Sequence, residues 1–178
     1  MKETSISIPD GITVSYENSV LTVRGPKGEL SRPVSKKLSV TVSPKTIVLA
    51  ADDRRRKNVA VLYTWRAHLK NMFIGVTAGW VAQMKIIYLH FPIKFSVEGK
   101  KILIGNFLGE RAPREARLLD GVTVKLDKDT VTVTGIDKEN VGNQCGAIES
   151  TTVIRNRDRR VFSDGIWLVQ PPTAGKNN

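Results

Sequence analysis

Apolar residues alternate with polar ones through Ile6, Ile8, Ile12, Val14 and Tyr16, and again from Val20 to Val23 beyond Glu17-Asn18-Ser19. That period of two predicts a first pair of half-buried strands. Gly25-Pro26-Lys27-Gly28 breaks the pattern, which resumes at Leu38, Val40 and Val42 and, across Ser43-Pro44-Lys45, at Ile47 and Leu49 as a second hairpin. From Asp52 the period becomes helical. Val61, Trp65, His68 or Leu69, and Met72 recur at spacings of three and four, Asp52 or Asp53 is placed to cap, and the helix ends near Gly75 before extended chain at Thr77 to Trp80.

From Met84 the same order starts again. Strands are predicted at Ile86 to Phe91, Phe95 to Val97 and Ile102 to Ile104, a Gly/Pro loop at Asn106 to Pro113, and a hairpin at Val122/Val124/Leu126 and Val131/Val133 across Asp127-Lys128-Asp129. Asp137 then caps a helix with Val141, Cys145, Ile148 and Thr152 on one face. A register shifted by 110 positions aligns PDGITV with LDGVTV but ends with that hairpin. One of about 81 to 84 aligns both hairpins and brings helix onto helix, so it is preferred. The fold class is α+β, two tandem copies of an antiparallel sheet covered by one helix, divided as 1–83 and 84–170. Residues 171–178, with Pro171-Pro172 and little apolar content, read as a flexible tail.

Charge changes the picture more than composition does. The formal net charge is +11 with a pI near 10.0, which calls for an anionic partner. No apolar run reaches the ~18 residues of a membrane span, and MKETSISIPDG lacks the apolar core of a signal peptide, so the expectation is a cytoplasmic protein without membrane attachment. One cysteine, Cys145, excludes an internal disulfide and fits a reducing compartment.

Candidate chemistry is sparse. His68, His90 and Cys145 show no metal-ligand spacing, so no metal and no cofactor are expected. Cys145 falls on an apolar helix face, as a core residue does, and GPKG leads back into strand where a phosphate-binding loop would enter a helix. An enzyme acting on an anionic ligand through Lys27 and Cys145 is one alternative; a free basic RNA-binding or protein-interaction module is another. The cations collect at loops and helix ends: Lys27, Arg54, Arg55 and Arg56, Lys100, then Arg111, Arg114 and Arg117. The densest group is Arg155, Arg157, Arg159 and Arg160, followed by Phe162 and by Asp164-Gly165, whose glycine can take positive φ and so allows a sharp turn. Guanidinium forks suit phosphate, and folded RNA suits scattered arginines better than duplex DNA does, since no recognition helix, zinc ligands or basic zipper is present.

VRGPKGEL at 23–30, NMFIGVTAGW at 71–80, HFPI at 90–93, NFLGE at 106–110 and TTVIRNRDRRVFSDGIW at 151–167 resemble, in the family's order, the sixth protein of the large ribosomal subunit in its archaeal and eukaryotic form. Trp167 stands where tyrosine is usual and Trp80 where phenylalanine is usual; both keep an aromatic ring. The resemblance implies two α+β copies, no catalysis, and binding to large-subunit ribosomal RNA, mainly through the second copy. It implies a place near the sarcin-ricin loop and the stalk base, beside neighbouring large-subunit ribosomal proteins; a homo-oligomer is not expected. By position it assigns RNA contact to Lys27, Arg155, Arg157, Arg159, Arg160, Phe162, Asp164 and Gly165. Arg54, Arg55, Arg56, Lys100, Arg111, Arg114 and Arg117 are candidates from charge alone.

Overall fold

In the first half the chain forms β1 (Lys2–Ser7), β2 (Thr13–Glu17), β3 (Val20–Gly25), β4 (Gly28–Pro33), β5 (Leu38–Val42), β6 (Thr46–Ala51) and α1 (Arg56–Thr77). The second half forms β7 (Trp80–Ile87), β8 (Lys94–Glu98), β9 (Lys101–Gly105), a short 3-10 turn (Phe107–Gly109), β10 (Arg114–Arg117), β11 (Val122–Asp127), β12 (Thr130–Gly135), α2 (Lys138–Thr151) and β13 (Gly165–Ala174). The structure, a computed structural model, describes residues 1–158 and 160–175. The chain divides into two compact units, Met1–Gly79 and Trp80–Gly175, so the break comes slightly before the expected residue 83, because β7 already begins at Trp80.

The first unit holds two antiparallel three-stranded sheets, β1-β6-β5 and β2-β3-β4. Alternation is the reason for its core: Leu21 and Val23 from β3 and Ile47 and Leu49 from β6 are fully buried, with Leu62, Leu69 and Val76 of α1 among them. Burying each such side chain contributes about 1.5–3 kcal/mol. The residues expected to form one strand pair serve both sheets instead. β1 pairs with the distant β6 while β2 pairs with β3, since Gly11 at φ 80 turns the chain between them. Gly25 to Gly28 is likewise no break but the turn of a β3–β4 hairpin. It lies against the end of α1, where a Cβ on Gly25 would come within 2.7 Å of the Val76 side chain.

Neither Asp52 nor Asp53 caps α1. Arg55 is the N-cap residue and makes no side-chain cap bond, while Asp52 accepts from the Arg54 amide at 3.1 Å and Asp53 takes the N-terminal ammonium at 3.3 Å. The helix also runs past Gly75 to Thr77, so the segment 71–77 is helical and only Ala78 and Gly79, the latter at φ 76, turn the chain.

The second unit repeats that topology and adds to it. Its sheets are β10-β9-β8 and β11-β12-β7-β13, so β11-β12-β7 reproduces β5-β6-β1 and β8-β9-β10 reproduces β2-β3-β4. The duplication inferred from register is thus present strand for strand, although each unit has two sheets where one was expected. Asp137 caps α2 as predicted, accepting from the Glu139 amide at 3.0 Å, and Val141, Cys145 and Ile148 are buried. Gln144, also buried, receives the Leu119 amide at 2.7 Å and donates to the Arg117 carbonyl at 3.2 Å, which fixes the β10–β11 connection on the helix.

β13 is the added strand. It pairs with β7 as far as Ala174, with register shifts on either side of Gln170, so Pro171 to Ala174 belong to the sheet and not to a tail. Main-chain pairing needs no apolar side chains, and prolines are tolerated on an edge. Residues 176–178 lie outside the described residues. The strand expected at Ile86 to Phe91 stops at Ile87, leaving Tyr88 to Ile93 as a loop on the surface, and β10 carries no alternation signal because its sequence, REAR, is polar at all but one position.

Candidate nucleic-acid interface

Between α2 and β13 the chain from Thr152 to Asp164 is held at both ends and exposed in the middle. Thr152 is buried; its hydroxyl donates to the Glu149 carbonyl at 3.1 Å and accepts from the Ile166 amide at 3.1 Å, joining the helix end to β13. At the other end Asp164, 3% exposed, accepts from the Leu89 amide at 2.9 Å. A buried carboxylate is tolerated only with such a partner, so Asp164 acts as an anchor of the loop. Gly165 is buried and does not use the positive φ open to a glycine; a Cβ there would lie 3.0 Å from the Trp167 indole, whose Nε1 donates to the Ser163 carbonyl at 3.3 Å. Among the described residues of the connection, Asn156 is left-handed, at φ 59.

Asp158, the one acid among the arginines, organises the turn. Its carboxylate accepts from the Arg160 amide at 2.9 Å and from Arg160 Nε and Nη2 at 3.2 and 3.1 Å, and its carbonyl receives the amides of Val161 and Phe162. The Arg160 side chain, then its amide, hold the Asp158 carboxyl below its ordinary value. The guanidinium of Arg157 lies 5.0 Å from the Phe162 ring centre, a cation–π contact. Arg155 and Arg157 are exposed and have no ion-pair partner among the described residues. Arg159 lies outside the described residues.

The remaining candidates divide sharply. Arg114 is an internal tie: it forks onto Glu110 at 2.8 and 2.7 Å, donates through Nη1 to the Thr151 and Val153 carbonyls at 2.8 and 3.0 Å, and stacks 4.3 Å from the Phe107 ring. Hydrogen bonds from Arg114 hold the Glu110 carboxyl below its usual range, and the charge of Arg157 adds to that. Lys27 does the same for the first unit, its ammonium donating to the Ala78 carbonyl beyond the end of α1 while its amide bonds the Val76 carbonyl at 2.9 Å. Lys100 pairs with Asp120 at 2.8 Å and Arg54 with Asp52 at 3.3 Å. Arg55 and Arg56 are exposed where α1 begins, and Arg111 and Arg117 are exposed in the second unit, none with an ion-pair partner among the described residues.

Cys145 is 1% exposed, and burial, with Glu149 nearby, pushes its thiol up to about 11. A thiol so protonated is a core residue and not a nucleophile. His68 is partly buried, with Nδ1 2.9 Å from Arg32 Nη1 and its ring edge-on to Trp65 at 5.9 Å. No group of three His, Cys, Asp or Glu among the described residues could hold a metal ion, and none of their helices is long and apolar enough to cross a membrane. Sequence reasoning missed a cleft of ≈320 Å³ beside the arginine loop, between Leu89 and Phe91, Leu108, and Arg157, Val161 and Phe162. The signal was HFPI, hidden by extending β7 through Phe91.

A duplicated α+β scaffold with a net charge of +11 and exposed arginines between α2 and β13 has the electrostatic character of a protein with an anionic partner. The ribosomal protein L6 family model matches residues 8–79 and 91–165, one segment in each unit. Relatives named large ribosomal subunit protein uL6 include that of Methanospirillum hungatei, 44% identical over 94% of this chain and 96% of its own. That of Methanosarcina mazei is 41% identical over 93% and 95%, and that of Haloquadratum walsbyi 38% over 98% and 99%. The chain belongs to the ribosomal protein L6 family, whose members are structural proteins and not enzymes.

Proposed function

We propose that this chain is a structural constituent of the large ribosomal subunit that docks on large-subunit ribosomal RNA through the α2–β13 corner of its second unit. The observation that carries the reading is the state of its cations. Lys27, Arg54, Lys100 and Arg114 are occupied within the protein, whereas Arg155 and Arg157 stand exposed, without an ion-pair partner among the described residues, on a loop anchored at both ends. A pre-ordered loop loses little freedom when it meets phosphates, so its charge is available for binding. Arg159 extends the same segment in the sequence, Arg160 is paired with Asp158 as Arg54 is with Asp52, and Phe162 backs the loop. The family resemblance supports a seat near the sarcin-ricin loop and the stalk base, among neighbouring large-subunit proteins. The catalytic alternative loses its nucleophile, because Cys145 is a protonated core thiol.

A salt titration tests the docking. With six to ten phosphate contacts, affinity for large-subunit RNA should fall by about 10³ to 10⁵ between 50 and 200 mM salt. The protein should also sediment with large subunits in moderate salt, where a free module would stay at the top of the gradient.

A further inference from the structure

Beside the arginine loop, three segments of the second unit converge on the cleft of ≈320 Å³. Leu89 and Phe91 come from the loop after β7, Leu108 from the 3-10 turn, and Val161 and Phe162 from the turn that Asp158 organises. The walls are fixed. Asp164 ties its segment to Leu89, Asn106 Nδ2 donates to the Pro92 carbonyl at 3.1 Å, and Gly109, at φ 79, lets the chain pass so close to Phe91 that a Cβ there would lie 3.3 Å from the ring. Yet the rim is apolar and open: Leu89 is 56%, Phe91 48% and Val161 64% exposed. Held apolar surface of this kind marks a binding site more often than chance exposure.

Charge selects the occupant. Arg157 lines the cleft while its guanidinium lies over Phe162, so a flat π system entering there would meet both an aromatic wall and a cation. Asp164 also lines it, and beyond its bond with the Leu89 amide its carboxylate has no further partner among the described residues. A carboxylate repels phosphate but accepts N–H groups from the edge of a base. We infer that this cleft receives one unstacked nucleobase of the bound RNA, seated against Phe91 and Phe162 beside Arg157, with its N–H edge towards Asp164. Phosphates then lie outside, on Arg155 and Arg157, and the base inside.

The inference rests on the docking proposed above, and one experiment separates their failures. The full chain is titrated with large-subunit ribosomal RNA as wild type, as Phe91→Ala and as Leu89→Ser; both side chains are about half exposed, so thermal melting should barely move. Phe91→Ala should bind about tenfold more weakly, as expected when one base loses its stacking partner, and Leu89→Ser severalfold more weakly as an apolar wall is lost, both with an unchanged salt dependence because every phosphate stays neutralised. Probing the RNA with dimethyl sulfate and kethoxal should find an unpaired base shielded by wild type and reactive again with either variant. If wild type binds but both variants bind equally well and no base changes reactivity, the base seat is wrong and docking stands. If wild type itself does not bind the RNA, docking and base seat fall together.

Discussion

The helix ends of the two units show what duplication kept and what it changed. In both, a cation at the passage from the middle to the third strand of the β2-β3-β4 type sheet reaches the carbonyls at the helix C-terminus: Lys27, in the β3–β4 turn, bonds Ala78 in the first unit, and Arg114, the first residue of β10, bonds Thr151 and Val153 in the second. Orphan carbonyls and the negative end of the helix dipole explain why a cation sits there in each. The change comes afterwards. α1 runs to Thr77 and closes through Ala78 and Gly79, whereas α2 stops at Thr151 and opens into the connection from Thr152 to Asp164, with its exposed arginines. The second corner is an exposed arginine loop because its helix ends early and β13 holds the far side.

Reversing charge at the two places should break the comparison most visibly. Arg155→Glu with Arg157→Glu should weaken binding to large-subunit RNA on the order of 100-fold and reduce the salt slope by about two, one for each phosphate that is no longer neutralised. If docking is confined to the second unit's corner, Arg55→Glu with Arg56→Glu, equally exposed candidates in the first unit, should change affinity by less than about threefold. Equal losses at the two places would abolish the distinction between the units.

Next in size are the cations that bind inward. Arg114→Ala removes the fork onto Glu110 and the bonds to the Thr151 and Val153 carbonyls and should cost about 1–2 kcal/mol in denaturant unfolding. Lys27→Ala, at an exposed helix end, should cost only about 0.5 kcal/mol. A smaller effect concerns Cys145: its thiol, raised to about 11, should react with a disulfide reagent at neutral pH far more slowly in the folded chain than in denaturant.

The smallest effect is the pH response of the loop. Asp158 has a folded value depressed below the ordinary 3.8, so its bonds with Arg160 contribute fully above that pH and are lost as pH falls through the lower, folded value. Amide exchange at Arg160 should therefore quicken only in that acid range, and an Asp158→Ala chain should show no such step.

Much of this was legible in the chain. Alternation located most strands, and the shift of about 81 to 84 identified the duplication, because both are periodic properties of side chains. Partnership was not legible: β1 pairs with β6 and β13 with β7 across long separations, and alternation says which face is buried but not which strand lies beside it. At the site, the sequence located positive charge without saying where it points. Lys27, Arg114 and Arg155 read alike as basic loop residues; only the carbonyls facing Lys27 and Arg114 distinguish internal ties from outward cations. Asp164 and Gly165 stand out in the sequence for the motif they belong to, yet one anchors the loop and the other makes room for an indole. The cleft at Phe91 stayed hidden because an apolar run after a strand reads as more strand.

Directed cleavage from a tethered iron chelate tests the central claim most directly. Ser163→Cys carries the probe at the second unit's loop and Ala78→Cys carries it at the corresponding corner of the first, with Cys145 too buried to compete. On large-subunit RNA, hydroxyl radicals should cut strongly and locally from position 163 and weakly or not at all from position 78. Strong cutting from 78 with none from 163 would contradict the account.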